Sequence, residues 1–522
     1  MTKISFPKAD SEHLIVYPKQ MSEIEDQLFN NGMPEAALME KVGIKISNWF
    51  LERENLLKSG LVVIIGPGHN GGDGAVIARE LFLKGYLVSV WCPFQIRKTL
   101  TIKHLSYVTS LGIKILINAP DPEKNELWID AVFGNNQTRS TDSNLIELFN
   151  EKSKTNKGKI VSIDIPTGLN PNSGKPFADK AVKANYTLSI GLKKIGLLQD
   201  SAIPYVGQIH NIEIGIFKSH FVKLDQRILS LSRKDFNDIS LYLPPANSDK
   251  YSRGRTLLIV GSEKYPGAAL LAIKGALASG VGSITALSPK SVANLIWNIS
   301  PEVVINDFAK SSEEGNSLFY DSLKNKDLNR YETILIGPGI GVDITDWEKA
   351  AKYLCNFKGT LILDADALNR IAKSKNGSKF FLDRSFQTWI TPHYQEFKRL
   401  FPDLDEHNRV DLSMKAANQF NLDLLLKGAN SIISDSKGSV WQIYESDPFT
   451  ARAGLGDLLS GFISGLCALE LSSGEIINAE SFAKYVFLHS YAASNSLKGS
   501  TASLIGNQLS KIVRQIKTRQ ML

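Results

Sequence analysis

From Leu61 to Leu192 short apolar runs recur, each separated from the next by apolar residues at helical spacing: LVVIIG from 61, LVSVW from 87, IKILI from 113, ELWIDAVFG from 126, KIVSIDIP from 159 and TLSIGL from 187. Runs of this length predict buried strands, and their alternation with helices predicts a parallel sheet with crossover connections. The preceding segment, Met21 to Leu51, carries apolar residues at helical spacing and is expected to pack on that sheet. Between Lys218 and Gly254 the pattern loosens, and LPPANSD from 243 has the composition of a linker. A boundary is therefore placed near residue 225. The rhythm resumes in RTLLIVGS from 255, SITALS from 283, ETILIGPG from 332, GTLILDADAL from 359, QTWITPH from 387 and DLLLKGA from 423. Two α/β domains are expected, residues 1–225 and 226–522.

Length agrees with that division, because 522 residues exceed a single ordinary core. Hydrophobic residues at 43% and charged residues at 22% are ordinary for a folded chain and exclude the disordered and fibrous classes. Met1 to Ser22 has no continuous apolar stretch of the signal-peptide kind, and no run of about 18 apolar residues occurs, so a cytoplasmic protein without a membrane partner is expected. Cys92, Cys355 and Cys467 are too few and too scattered for a disulfide framework or a thiolate cage. The formal net charge of +7 is spread without a dense basic block, which argues against nucleic acid and is compatible with attraction for phosphorylated ligands.

In the first domain GPGHNGGDG from 66 lies between a strand and a helix, so its backbone N–H groups can approach an anionic ligand. Gly66, Gly68 and Gly71 satisfy the dinucleotide GxGxxG, but the next strand ends in Trp91-Cys92-Pro93 without a ribose-binding acid, which disfavours a plain dehydrogenase. Asp73, Asp130 and Asp164 stand at or beside successive strand ends. One such acid is commonly only a turn or cap partner; three together point to a site.

GPGHNGGDG, WIDAVFG, SIDIPTGLNPNSG and IGLKKIGLL together resemble the NAD(P)H-hydrate epimerase family, also known as the YjeF N-terminal domain, over residues 15 to 217. The resemblance implies a Rossmann-like three-layer domain that binds potassium through Asn70, Asp130 and Thr167. It further implies contacts to the hydrate from His69, Asn70, Gly71, Gly72 and Asp73, from Gly134, Asn135, Asn136, Gln137, Thr138, Arg139 and Ser140, and from Asp164, with Lys194 nearby. Departures from the family pattern are His69 for an asparagine, Thr167 for a serine and Lys41 for an asparagine. Inverting a hemiaminal carbon requires its hydroxyl to be protonated, lost and re-added, and Asp164 is the candidate acid/base.

In the second domain ARAGLGDLLSG from 451 places Asp457 at the start of an apolar helix behind glycines, an arrangement suited to holding phosphate while a carboxylate takes a hydroxyl proton. The plainer alternative is a capped helix. With KYPGAALLA from 264, GPGIG from 337, DADALN from 364, TPHYQEFKRL from 391 and KGANSII from 427, this motif resembles the NAD(P)H-hydrate dehydratase family, a branch of the ribokinase-like fold, from about residue 230 to 515. The resemblance implies nucleotide contacts from Lys427, Gly428, Ala429, Asn430, Ser431 and Gly456. It implies hydrate contacts from Ala268, Gly339, Gly341, His393 and Asp457, with Leu455 standing where a polar residue is common. His393 lacks the His or Cys neighbours of a zinc site.

The implied protein is a bifunctional homo-oligomer acting on the hydrates of NADH and NADPH. It would epimerise the R and S forms and dehydrate the S form at the expense of ADP or ATP, with magnesium screening the phosphates. The alternative is a ribokinase-like small-molecule kinase fused to a non-catalytic binding domain.

Overall fold

A computed structural model describes residues 10–521 apart from 156, 222, 223, 225, 226, 325, 445 and 446. The boundary expected near residue 225 thus falls outside the described residues, as do the first nine residues of the N-terminal segment. The chain divides into two compact units, Pro7–Leu229 and Ser230–Leu522.

The first unit is built on a seven-stranded sheet in which every pairing is parallel, in the order Lys114–Leu116, Val88–Trp91, Leu61–Ile65, Leu127–Ala131, Ile160–Ile163, Tyr186–Ile190 and Gln208–Ile212. Leu61–Ile65 is the first of these strands in sequence. The chain then builds outward on one side and returns to build on the other. That reversal leaves a crevice beyond the carboxyl ends of Leu61–Ile65 and Leu127–Ala131, the place where doubly wound sheets bind ligands. All five residues of each of these two strands are buried, as the apolar runs predict for a sheet covered on both faces. The helix Glu35–Leu51 crosses His69–Leu83 at close range. At Gly43 a Cβ would lie 2.3 Å from the Val76 side chain, so only glycine permits the approach. A small parallel pairing, Ile15 with Lys193 and Val16 with Lys194, lies outside the main sheet.

The second unit has the parallel order Ser283–Leu287, Arg255–Ile259, Thr333–Ile336, Thr360–Leu363, Thr388–Ile390 and Asp423–Leu426. An antiparallel hairpin, Ser431–Ser434 with Val440–Ile443, continues it. The apolar helix Leu455–Leu471 packs against Pro266–Ser279 through glycines: a Cβ at Gly461 would meet the Ala272 carbonyl at 1.8 Å, and one at Gly275 the Leu458 carbonyl at 2.0 Å. Gly461 therefore serves helix packing. Both units are α/β: a doubly wound, all-parallel sheet first, and second a parallel sheet extended by an antiparallel hairpin. No helix among the described residues is long and apolar enough to cross a membrane.

Candidate active sites

In the first unit the chain leaves Leu61–Ile65 through Gly66-Pro67-Gly68 and enters the helix His69–Leu83, with Gly68 as N-cap. The first-turn N–H groups of this helix, which lack intrahelical acceptors, open at the crevice. Gly66 is obligatory, since a Cβ there would stand 1.8 Å from the Val132 carbonyl of the neighbouring strand end. A cleft of about 400 Å³ lies beyond. His69, Asn70, Asp73, Gly134, Asn135, Asn136, Gln137 and Asp164 line it, together with Glu25, Glu35, Lys98 and apolar residues that include Phe29, Leu38 and Met39.

Asp164 takes φ +68°, a left-handed conformation that a short polar side chain tolerates, and this turns its carboxylate back into the cleft. One carboxylate oxygen accepts from Lys194 Nζ, in an ion pair that is almost fully buried, and from Ile190 N at 3.2 Å. The other accepts from Asn135 N at 2.7 Å. Lys194 thus stands behind Asp164 and does not line the cleft. Gln137 ties its loop to the Asp164 turn, donating to the Pro166 carbonyl at 3.2 Å and accepting from Gly168 N at 2.8 Å. Gly71 and Gly72 are buried in the helix, where Gly72 packs against Met39, while Thr138, Arg139 and Ser140 are exposed and stand outside the cleft lining.

Burial, reinforced by Asp164 and Glu25, pushes the carboxyl of Asp73 well above the usual range. Glu25 was not singled out in the sequence. Burial raises it to about 7, with Lys194 opposing and Asp164 and Asp26 adding to the rise.

Asp130 is fully buried and accepts four hydrogen bonds, from Ser162 Oγ, Thr167 N, Thr167 Oγ1 and Val132 N, at 2.7 to 3.3 Å. Asn70 donates through Nδ2 to the Ile163 carbonyl at 3.3 Å, whereas its buried Oδ1 has no partner among the described residues. Lys41, one of the departures from the family pattern, points away to Gly215.

In the second unit, Lys427 ends the strand Asp423–Leu426 and opens the Gly428–Asn430 turn of the hairpin that Ser431 continues. Its Nζ lies 2.6 Å from Asp364 Oδ1 and 3.5 Å from where a Gly456 Cβ would stand. Asp364 Oδ2 accepts from Ser460 Oγ, so strand end, hairpin and helix converge on one carboxylate. Between Asp364 and Asp366 the chain turns sharply at Ala365, φ +48°, and Asp366 accepts from Gly341 N at 2.9 Å.

Gly454, φ +86°, caps the helix Leu455–Leu471, and Asp457 in its first turn makes no capping hydrogen bond among the described residues. Burial, assisted by Asp364 and opposed by Lys427, raises Asp457 to about 7. Lys427 is itself raised: burial favours the neutral amine, but Asp364, Glu396 and Asp457 together outweigh it. Gly339 and Ala268 touch, since a Cβ at Gly339 would lie 2.7 Å from the Ala268 methyl. His393 is the N-cap of Tyr394–Leu400, where its Nδ1 accepts from Gln395 N and Glu396 N, and it bridges to Lys427 through backbone pairing. Leu455 packs beside Leu458, Ala493 and Ile505, in an apolar setting that explains the lack of a polar residue there. Asp364 and Ser460 are the participants that sequence reasoning passed over; DADALN was visible as a motif, but the ion pair requires the fold.

Residues 35–196 match the family of YjeF-related protein N-termini, and residues 256–515 match the family of NAD(P)H-hydrate dehydratases. The chain is 37% identical over 458 residues to a bifunctional NAD(P)H-hydrate repair enzyme of Synechocystis sp., covering 87% of this chain and 86% of that protein. It is 33% identical to the corresponding protein of Gloeobacter violaceus, covering 87% and 89%. The crystal structure of an ADP/ATP-dependent NAD(P)H-hydrate dehydratase from Bacillus subtilis, co-crystallised with ATP and magnesium, is 24% identical and covers 55% of this chain and 97% of that one, with a TM-score of 0.44. With both matched regions in order and both bifunctional relatives covered over most of their length, the chain belongs to the family of bifunctional NAD(P)H-hydrate repair enzymes.

Proposed function

We propose that residues 1–225 epimerise the R and S hydrates of NADH and NADPH, and that residues 226–522 dehydrate the S hydrate at the expense of ADP or ATP. The observation that carries this reading is that each unit holds its own strand-end site, a carboxylate facing a helix N-terminus. A division of the chain at Leu229–Ser230 supports the boundary. Membership of the repair family favours this reading over a small-molecule kinase joined to a binding module. A cytoplasmic setting suits such substrates.

In the epimerase domain the cleft residues His69, Asn70, Asp73, Gly134–Gln137 and Asp164 bind the hydrate; the proposal extends to Gly71, Gly72 and the exposed Thr138, Arg139 and Ser140 as the outer part of the same loops. Asp164, paired with Lys194, takes the proton shed by water as it adds to the ring. Potassium at Asn70, Asp130 and Thr167 is supported by Asn70, whose buried Oδ1 is an acceptor without a donor among the described residues; Asp130 and Thr167 Oγ1 are already hydrogen-bonded and would share their oxygens with the ion. Bound there, the ion would supply a fixed positive charge that holds the loops bearing these oxygens.

In the dehydratase domain Asp457 is the base. A carboxylate titrating near 7 is matched to removing a hydroxyl proton at neutral pH. The deprotonated hydroxyl oxygen attacks the terminal phosphoryl group of the nucleotide and displaces ADP from ATP or AMP from ADP. The resulting phosphate ester is a good leaving group, and its C–O bond breaks with the electron pair leaving on inorganic phosphate while the neighbouring ring carbon loses a proton to water, which regenerates the dihydropyridine. Lys427 and the helix N-terminus at Gly456 balance the phosphate charge, and Gly428, Ala429, Asn430 and Ser431 complete the nucleotide loop. Ala268, Gly339, Gly341 and His393 shape the hydrate side. Magnesium would arrive on the phosphates. Asp364 is taken by Lys427 and Ser460 and Asp366 by Gly341 N, so no side chain is assigned to that ion.

The test is to incubate the full chain with mixed hydrates and either ADP or ATP and to follow the absorbance of the reduced cofactor. Complete return, with release of inorganic phosphate, is expected. A stable phosphorylated product without return of NADH or NADPH would overturn the reading.

A further inference from the structure

Resting on the epimerase reading, we propose that Glu25 is the general acid of that reaction, the group that protonates the departing hydroxyl. The helix Pro18–Asn30 buries Met21, Ile24 and Leu28, and Glu25 falls on the same face, one turn after Met21 and one turn before Phe29, which also lines the cleft. A carboxyl at an inward position of an amphipathic helix is costly unless it is partnered or used. Among the described residues it has neither a hydrogen bond nor an ion pair, and it opens into the cleft that holds Asp164.

The two other cleft carboxyls near it are placed differently. Asp164 has both oxygens occupied by Lys194 and by the Ile190 and Asn135 amides. Asp73 is enclosed. The wall that carries Glu25 is also fixed to the substrate loop, because Asn135 Nδ2 donates to the Pro18 carbonyl at 3.0 Å and Ser22 Oγ to Asn136 at 3.4 Å.

The charged groups acting on Glu25 are Asp164 and Asp73 in the cleft lining, Lys194 behind Asp164, and Asp26 on its own helix, with Glu35, His69 and Lys98 further along the lining. Burial and the neighbouring carboxylates outweigh Lys194 and bring Glu25 to about 7, so it keeps a transferable proton at neutral pH.

The step balances as follows. Glu25 gives its proton to the hydroxyl on C6, and the C–O bond breaks with its electron pair leaving on water, while the ring nitrogen lone pair forms the iminium. Water adds to C6 from the opposite face, the electron pair returns to nitrogen, and the released proton goes to Asp164. The reverse epimerisation exchanges the two roles, and proton exchange with water in the cleft resets the pair.

The test uses the full chain and mixed R and S hydrates, with epimer exchange measured above the spontaneous background. In Glu25→Gln, kcat for exchange is expected to fall by about 10² to 10⁴, KM to change little, and dehydration of the S hydrate to remain. In the wild type, exchange driven by this acid falls as pH rises through about 7, where Glu25 loses its proton; the Gln variant lacks that limb, and Glu25→Asp recovers part of the rate. Wild-type exchange and pH profile in the Gln variant would overturn the proposal. Equal losses in Gln and Asp variants carried by KM would also overturn it, making Glu25 a shaping residue. No exchange above background in the wild-type protein would remove the epimerase reading and Glu25's role with it.

Discussion

Lys427 Nζ and Asp364 Oδ1 are 2.6 Å apart, and the same lysine faces Gly456 at the start of the helix that carries Asp457. Asp364 therefore acts on the base from two directions. Its charge disfavours ionisation of Asp457, and it holds the ammonium that would favour it. Replacing Asp364 with Asn removes the first effect and frees the second, and both changes lower the Asp457 pKa. The rising limb of the pH–rate profile for dehydration, expected near 7 in the wild type because the base must be ionised, should move to lower pH. Measuring kcat/KM from pH 5 to 9 checks this. An unmoved limb would show that Asp457 does not set it.

The Asp164–Lys194 pair is almost fully buried, and removal of one member strands the other. Lys194→Met leaves a carboxylate with two amide donors, and loss of such a partner costs about 3–5 kcal/mol. The double variant Lys194→Met, Asp164→Asn should melt higher than Lys194→Met alone, because Asn tolerates the left-handed backbone and carries no charge. Epimerisation should be lost in both, while dehydration of the S hydrate continues in any variant that stays folded. Thermal melting and the two activities, measured side by side, decide this.

Potassium should raise the melting temperature above that in tetramethylammonium at equal ionic strength, since an ion that binds only the folded state stabilises it by mass action. Asn70→Leu should abolish the difference, because it removes the one unpartnered buried oxygen of the proposed set. A potassium effect undiminished in Asn70→Leu would place the ion elsewhere.

Six strands of the first sheet and the six parallel strands of the second were legible because a strand buried on both faces is apolar along most of its length, as LVVII from 61 is; the edge strand Gln208–Ile212, polar and only partly buried, was not among the runs. The hairpin strands Ser431–Ser434 and Val440–Ile443 were less legible. They are short, separated by polar turn residues, and gain their burial from packing that one sequence does not display. The glycine loops and strand-end aspartates were visible because backbone approach and turn chemistry restrict residue choice. Asp364 and Glu25 were not. Asp364 depends on Lys427, 63 positions away, and Glu25 lies within a helical pattern where a single inward carboxylate resembles ordinary helix composition.

Asp457→Asn should stop dehydration and at the same time make the protein more stable. The amide keeps the shape but cannot accept a proton, so turnover should fall by about 10² to 10⁴ while nucleotide affinity, carried by Lys427 and the glycine turn, persists. The stability sign follows from the raised pKa. In the wild type the unfolded chain ionises Asp457 near the ordinary aspartate value of 3.8 and the folded chain only near 7. The stabilisation from keeping the neutral acid is complete below 3.8, is lost progressively across that window and is gone above 7. An uncharged asparagine does not titrate. The melting temperature of the variant relative to wild type should therefore rise as pH goes from 4 to 7 and level off beyond it. Helix capping offers no rival account, since Asp457 makes no capping hydrogen bond among the described residues and Asn would cap equally well. Turnover close to wild type with a pH-independent melting difference would show that Asp457 is neither the base nor a strained buried acid.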